Sequence, residues 1–274
     1  KLVPYNVSRV GISRRMLKIP NPILHANLCM KVIDEWSELK ELSNSSDICY
    51  SKPTFDEKGI RAIVPKHDYD YLNKVRAKIR STSKYVLITD ISKFYSSIYT
   101  HSIPWAIHTK EFAKDNYETK YLGNNLDKWI RNGQDRQTIG IPIGPDTSFL
   151  VAEVILNQLD KRMLDRIGSG EGLRYVDDYE FGFKRYSDAE EALSVIQATL
   201  QSYELEVNLN KTDIIELPKP LIPYWVSELS QYEFRAGIKK QSTDLIRYFS
   251  RAFSLSKEYP NKAVIKYAVR RLKS

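Results

Sequence analysis

The chain has 274 residues, 42% of them hydrophobic and 28% charged, with a formal net charge of +8. That is apolar material for one large domain or two modest ones, which excludes a disordered or low-complexity chain. Two cysteines in unlike contexts, Cys29 and Cys49, speak against a disulfide scaffold or a cysteine metal site, and no run of eighteen apolar residues is present to span a membrane. The sequence shows no signal peptide, so the expected location is the cytoplasm. Residues 52–84 carry nine Lys or Arg against four acids, residues 235–274 carry eleven against two, and residues 85–234 between them are net −8. An acidic centre between basic segments suits a polyanion held near a metal site, although solubilising charge accounts for any one segment as well.

Residues 1–22 read as irregular and basic. Arg14, Arg15 and Lys18 precede Ile19-Pro20-Asn21-Pro22, and the two prolines speak against a helix there. Over residues 23–42, Leu24, Leu28, Val32, Trp36 and Leu39 recur at steps of three or four, the period of one amphipathic helix. His25 at its start reads as a surface or capping histidine. Residues 52–65 read as an extended hairpin turning at Asp56-Glu57-Lys58-Gly59, with Arg61 just past the turn. A guanidinium on such a hairpin can grip triphosphate oxygens bidentately, which makes Arg61 the candidate phosphate contact. Residues 69–80 read as a helix whose Lys74, Arg76, Lys78 and Arg80 wrap around its surface. A solvated helix and a phosphate-backbone contact explain those charges about equally.

Residues 86–89 form a short apolar strand that delivers Asp90 at its end. Of Phe94 and Tyr95, one ring is expected in the core and the other beside a pocket. A bulky ring next to a ribose would clash with a 2′-hydroxyl and select deoxynucleotides; two core rings are the plain alternative. Residues 102–113 and 122–130 read as helices, and 133–137 as a polar turn. Ile139-Gly140-Ile141-Pro142-Ile143-Gly144-Pro145 carries two glycines and two prolines in seven residues, which neither a helix nor a central strand tolerates. Such a turn ahead of a helix permits close backbone approach and offers free N–H groups to an anion or base, while an ordinary helix entry fits it as well. The helix that follows, over about 146–166, has Phe149, Ala152, Val154, Ile155, Leu159 and Met163 as its apolar side.

The organising stretch is GLRYVDDYEFGF, residues 172–183, read as a tight β-hairpin with Asp177 and Asp178 at its tip. Adjacent residues of a strand face opposite ways, whereas a turn lets both acids approach one polar site. Carboxylates that close repel each other unless a cation sits between them. If the Asp90 strand is a neighbour in the same sheet, Asp90, Asp177 and Asp178 supply the carboxylates of a two-metal phosphoryl-transfer site, with Mg²⁺ as the ion and Mn²⁺ as its substitute. For the pair taken alone, solvated loop acids remain the alternative. A helix over 187–203, an alternating segment over 205–209 and a strand at Ile214-Ile215 complete an α+β palm, a sheet backed by helices. Lys211 lies near the same edge, where a lysine can protonate a leaving group; a solvated turn lysine fits its spacing equally. The stretch 217–220 reads as a linker. Tyr179 and Phe181 read as core or pocket wall. Helices over 241–255 and 261–272 are expected to pack through Leu245, Ile246, Phe249, Phe253, Val264, Ile265, Ala268 and Val269, and suit the beginning of a larger helical region.

Asp90 with Phe94-Tyr95, the turn Gly140-Ile141-Pro142-Ile143-Gly144, Tyr175-Val176-Asp177-Asp178 and Leu209-Asn210-Lys211-Thr212 stand in the order and at the spacing of reverse transcriptases. The chain resembles that family over roughly residues 50–215. The resemblance implies fingers and a palm with a ferredoxin-like sheet, followed by C-terminal helices: an N-terminal helical and fingers region over 1–84, the palm over 85–234, and a basic helical region over 235–274. It implies DNA synthesis from dNTPs by two-metal nucleotidyl transfer, with a DNA product and an RNA or DNA template as partners. Asp90, Asp177 and Asp178 fall on the metal ligands, Tyr95 on the sugar gate, Lys211 on the leaving-group acid, and Pro142, Ile143 and Gly144 on the substrate side. One position departs. Ordinary members carry Gln where Ile143 stands, and isoleucine offers no hydrogen bond to a nucleotide or template. Gly-Ile-Pro-Ile-Gly-Pro with Ser148, Arg14-Arg15 ahead of the residues 19–22, and Ala152-Glu153 resemble the abortive-infection branch of bacterial reverse transcriptases. That branch implies defence against phage, self-association and, in some members, untemplated synthesis that starts from a protein hydroxyl. Three alternatives stay open: a conventional templated enzyme, an RNA polymerase (against which Tyr95 speaks), and a catalytically idle palm that binds nucleic acid or a phage protein.

Overall fold

The computed structural model describes residues 2–8, 14–168 and 171–272, and no helix among them is long and apolar enough to cross a membrane. The chain divides into two compact units, residues 16–219 with 1–5, and residues 220–274 with 6–15. The first 22 residues are not irregular throughout. β1 (Val3–Ser8) and β2 (Arg14–Ile19) form a two-stranded sheet. Both strands are largely exposed, so neither carries the alternating apolar signal by which a strand is read. Pro22 does not bar the helix either. It opens α1 (Pro22–Asp34), where its missing N–H costs nothing, and the Asn21 side chain accepts the N–H groups of Ile23 and Leu24 at 3.1 and 3.2 Å. The single helix expected through residue 42 is two, because the chain leaves helical geometry at Glu35 before α2 (Trp36–Ser43).

β3 (Pro53–Phe55) and β4 (Ile63–Pro65) pair antiparallel as the hairpin the sequence predicts. The Asp56 carboxylate builds the turn by accepting the N–H groups of Lys58, Ile60 and Arg61. Asp68 caps α3 (Tyr69–Thr82) through the Tyr71 N–H at 2.9 Å. The charges of α3 do not simply wrap around it. Arg76 and Arg80, one turn apart, both donate to the buried Glu180 carboxylate, at 2.9 and 3.1 Å.

The sheet that follows positions the site. β5 (Tyr85–Asp90) leads into the short α4 (Phe94–Ser97), then α5 (Ser102–His108), α6 (Lys110–Asp115), α7 (Leu122–Gly133) and α8 (Asp146–Ile167). β6 (Glu171–Tyr175) and β7 (Asp178–Phe183) form the hairpin, and α9 (Tyr186–Gln201) and β8 (Asp213–Glu216) close the unit. The helix expected over 102–113 is parted at Thr109, which takes φ 105° and uses its hydroxyl to accept the Phe112 N–H at 3.3 Å. The strands lie in the order β6-β7-β5-β8, each antiparallel to its neighbours. α8 is buried on almost every side, not along one stripe: Leu150, Ile155, Leu159 and Met163 are joined inside by Glu153, Asn157 and Asp160. A helix covered all round is the centre of its core, and Leu87, Ile91, Phe181 and Ile196 pack with it in one cluster.

The second unit contains α10 (Tyr224–Ser230), α11 (Ile238–Glu258) and α12 (Val264–Arg271). Its core is only partly the face read from the sequence. Val264 and Ala268 are buried and Phe249 and Ile265 pack beside them as expected, but Ile246, Phe253 and Val269 are exposed, and Tyr248, Ala252 and Leu255 supply the α11 side of the core. Tyr248 carries the deciding contact, since its ring is buried and its hydroxyl donates to the Ala268 carbonyl at 3.2 Å. Asp244 accepts the Arg235 backbone and guanidinium N–H groups, and these bonds hold its carboxyl down at about 2.

Candidate active site

Each carboxylate reaches the site for a local reason. β5 ends at Asp90 after the buried run Val86-Leu87, and in register with β7 it places Asp90 directly across from Asp178. Directly opposed residues project from the same face of a sheet. The β6–β7 turn consists of Val176 and Asp177, because Tyr175 still pairs with Asp178. The Asp177 carbonyl accepts the Ile91 N–H at 3.1 Å, which ties the turn to the residue after Asp90.

The alternating segment before β8 continues along the same edge. The Asn208 N–H donates to the Asp90 carbonyl at 2.7 Å, and the Asn208 side chain donates to Asp90 Oδ1 at 2.9 Å. Lys211 Nζ sits 2.5 Å from Asp90 Oδ2. Four predicted residues, Asp90, Asp177, Asp178 and Lys211, therefore share one electrostatic neighbourhood. Partial burial of the Asp178 carboxyl and the charge of Asp177 push it up to about 6; Asp90 adds to this, while Lys211 and Arg76 oppose it. Partial burial works against the Lys211 ammonium, but Asp90, Asp178 and Asp177 outweigh it and raise its pKa.

Tyr95 lies in α4, five residues beyond Asp90. Phe94 is buried at 2% exposure, and Tyr95 is half-buried with its ring 5.3 Å from that of Phe94. The glycine-rich loop is pinned to this helix: the Ile141 N–H donates to the Tyr95 carbonyl at 2.7 Å, and the Gly140 N–H to the Ile98 carbonyl at 2.8 Å. Gly140 takes φ 81°, and a Cβ there would stand 3.0 Å from the Ser96 carbonyl oxygen, so any other residue would be strained. Pro142 and Ile143 follow half-buried, and Gly144 is exposed. Arg61 is placed elsewhere than on a free hairpin. Its guanidinium grips Asp146 at the start of α8, whose other oxygen accepts the Ala62 and Ile63 N–H groups at 2.9 and 3.2 Å.

Sequence reading misses two partners of the site. Asn208 lies inside the stretch read only as an alternating segment over 205–209. Arg174, an arginine inside an apolar strand, is fully buried against Glu153 and Asp160, and the one available signal was a lone charge in an apolar run. As to a metal, three aspartates offer hard oxygen donors of the kind Mg²⁺ prefers. Asp90 here is engaged by Lys211 and Asn208, and among the described residues no three His, Cys, Asp or Glu side chains are gathered to hold an ion. The donor chemistry, and the burial and neighbouring charges that raise Asp178, fit a divalent cation.

The sequence profile of the family described as Reverse transcriptase (RNA-dependent DNA polymerase) matches residues 28–247. No curated protein matches the chain in sequence. Among solved structures, apo telomerase from Candida tropicalis truncated from its C-terminal domain aligns with a TM-score of 0.53 at 14% identity, over 79% of this chain and 50% of that one. Apo telomerase from the same organism gives 0.53 at 13% identity, over 99% and 60%. Telomerase from Candida albicans in complex with a TWJ fragment of telomeric RNA gives 0.50 at 12% identity, over 97% and 56%. The likeness to these structures is one of fold, and the chain spans about half to three-fifths of their length.

Proposed function

The chain belongs to the reverse transcriptase family, and from that premise and the carboxylate cluster we propose that it is a DNA polymerase that joins dNTPs by two-metal nucleotidyl transfer. The observation that carries the reading is the register of β5 and β7, which sets Asp90 opposite Asp178 with Asp177 in the adjoining turn and Lys211 on Asp90. Asp90, Asp177 and Asp178 would hold Mg²⁺, or Mn²⁺ in its place. When bound, the metal lowers the pKa of the attacking hydroxyl and offsets charge on the triphosphate. Lys211, kept protonated by the three aspartates, would give a proton to the pyrophosphate oxygen as it leaves. Tyr95 excludes a ribose 2′-hydroxyl by bulk. Pro142, Ile143 and Gly144, on a loop anchored to the Tyr95 carbonyl, would line the nucleotide side. Arg61 would exchange Asp146 for phosphate oxygens, a bidentate partner of the same kind.

The finer part of the proposal is that the enzyme belongs to the abortive-infection branch, acts in defence against phage in the cytoplasm, and self-associates. The division that goes with it is an N-terminal helical and fingers region over 1–84, a palm over 85–234 and a basic helical region over 235–274. Ile143 supports untemplated synthesis, since its side chain gives a template nothing to bond. In that case the primer is a protein hydroxyl. In a templated enzyme the partners are an RNA or DNA template and its DNA product.

Labelled dNTPs or NTPs with Mg²⁺, with and without primer-template, test this, with products sized before and after protease. Incorporation of dNTPs without nucleic acid, into product freed by protease, is the expected result. Synthesis only on primer-template would overturn the untemplated reading, equal use of NTPs would overturn Tyr95 as the gate, and no incorporation would favour an idle binding palm.

A further inference from the structure

We propose that Ser51 and Arg174 clamp the Val176 peptide and thereby fix where Asp177 stands, a proposal that rests on the catalytic reading of the hairpin above. Val176 is β-branched, yet it takes φ 54°, in the left-handed region where such a side chain is strained. Strain of this kind persists only where the surroundings over-determine it. Here both polar atoms of the residue are held. The Val176 N–H donates to Ser51 Oγ at 2.8 Å, and Arg174 Nη1 donates to the Val176 carbonyl at 3.1 Å.

The clamping groups are themselves fixed from behind. Ser51 Oγ donates to Glu153 Oε1 at 2.7 Å, and Arg174 Nη1 donates to Glu153 Oε2 at 2.8 Å. Arg174 Nε reaches both Asp160 oxygens, at 2.8 and 3.0 Å, and the Tyr179 hydroxyl donates to Asp160 Oδ1 at 2.9 Å. Ser51, Glu153, Asp160 and Arg174 are all 0% exposed. Burial works against the Arg174 charge, but Asp160 and Glu153 outweigh it and keep the guanidinium protonated well beyond its usual range. The backbone delivers Ser51 to this place. The Arg174 N–H donates to the Ile48 carbonyl at 2.6 Å, and the Tyr50 N–H donates to the Arg174 carbonyl at 2.9 Å, so the segment before Ser51 runs beside β6.

A buried ion network contributes little net stability, because desolvation offsets its attraction. What this one holds is a single turn. On its far side that turn is tied through the Asp177 carbonyl to Ile91, next to Asp90. Ser51 and Arg174 are thus positioning residues. They touch no substrate and act through the Val176 peptide on the carboxylate that follows it.

Ser51→Ala removes one hydroxyl and leaves Glu153, Asp160 and Arg174 in place, and Ser51→Thr keeps the hydroxyl. Amide hydrogen exchange of Val176, dNTP incorporation kinetics with Mg²⁺, and thermal unfolding are measured on the purified full chain. Ser51→Ala is expected to speed Val176 exchange by about tenfold or more. It is expected to lower kcat about tenfold with KM for dNTP unchanged, and Ser51→Thr is expected to restore both. Unchanged Val176 exchange in Ser51→Ala overturns the clamp. So does an unchanged kcat beside a lowered melting temperature, or a Thr variant that refolds the chain without restoring kcat. If the wild type incorporates no nucleotide, the polymerase reading fails and exchange alone decides: acceleration confined to residues 175–178 supports the clamp, and its absence overturns it.

Discussion

Replacing Asp178 by Asn removes a charge that the fold itself disfavours. The Asp178 carboxyl sits at about 6 against an ordinary 3.8, because partial burial and the neighbouring Asp177 penalise its ionised form. A carboxyl whose folded pKa is raised holds its proton more tightly folded than unfolded. It therefore costs no stability below pH 3.8; the cost grows as pH rises towards 6 and then levels. A shift of about two units corresponds to roughly 3 kcal/mol. Asp178 is open to solvent on one side, and screening reduces this to about 1 kcal/mol. The assay is urea unfolding without divalent cation, wild type beside Asp178→Asn, from below pH 3.8 to pH 8. Between 3.8 and 6 the wild type should lose stability relative to the variant. At pH 7 the variant should be the more stable by about 1 kcal/mol, with the two equal in acid, while its polymerase activity falls. Such an exchange of stability for function is common at active sites. A variant less stable at pH 7, or a difference that does not change with pH, would refute the reasoning.

Three other outcomes follow from the geometry. Tyr95→Val should raise incorporation of NTPs relative to dNTPs by about tenfold, the usual worth of volume in a pocket, and an unchanged ratio would remove Tyr95 from the sugar gate. Gly182→Ala should lower stability by about 1–3 kcal/mol through overpacking, because a Cβ there would lie 2.7 Å from Ile79 Cγ2 and closer still to Ser83 Oγ; a melting curve identical to wild type would contradict that packing. Asp244→Asn should remove the acid sensitivity of the C-terminal helices. Its carboxyl is depressed, so its stabilising effect is present above 3.8 and is lost as pH falls towards about 2, and a wild-type loss of helix in that window that persists in the variant would count against it.

What the sequence made legible was local. The strand ending at Asp90, the hairpin carrying Asp177 and Asp178, and the glycine-rich entry to α8 are each marked by residues within a dozen positions. The reverse-transcriptase-like α+β fold those marks implied is the fold observed. What it hid depends on backbone geometry or distant partners. Glu35 breaks a helix whose apolar period runs on without interruption, and Thr109 parts the single helix read over 102–113. Arg76 and Arg80 read equally as solvated or as phosphate contacts, because their partner, Glu180, lies 100 residues or more away. Arg61 looked free for the same reason, with Asp146 85 residues on. On α11 the buried stripe runs through Tyr248, an amphipathic residue that ranks below Ile246 and Phe253 on hydrophobicity alone, yet it is fully covered while they are exposed.

The most direct test of the central claim is Mg²⁺-dependent dNTP incorporation by the wild type beside Asp177→Asn, with circular dichroism confirming that the variant is folded. Loss of incorporation by about a thousandfold or more, as for removal of a group on which transition-state stabilisation depends, is the predicted result. Incorporation by the folded Asn variant at the wild-type rate would contradict the assignment of these carboxylates as the site of chemistry.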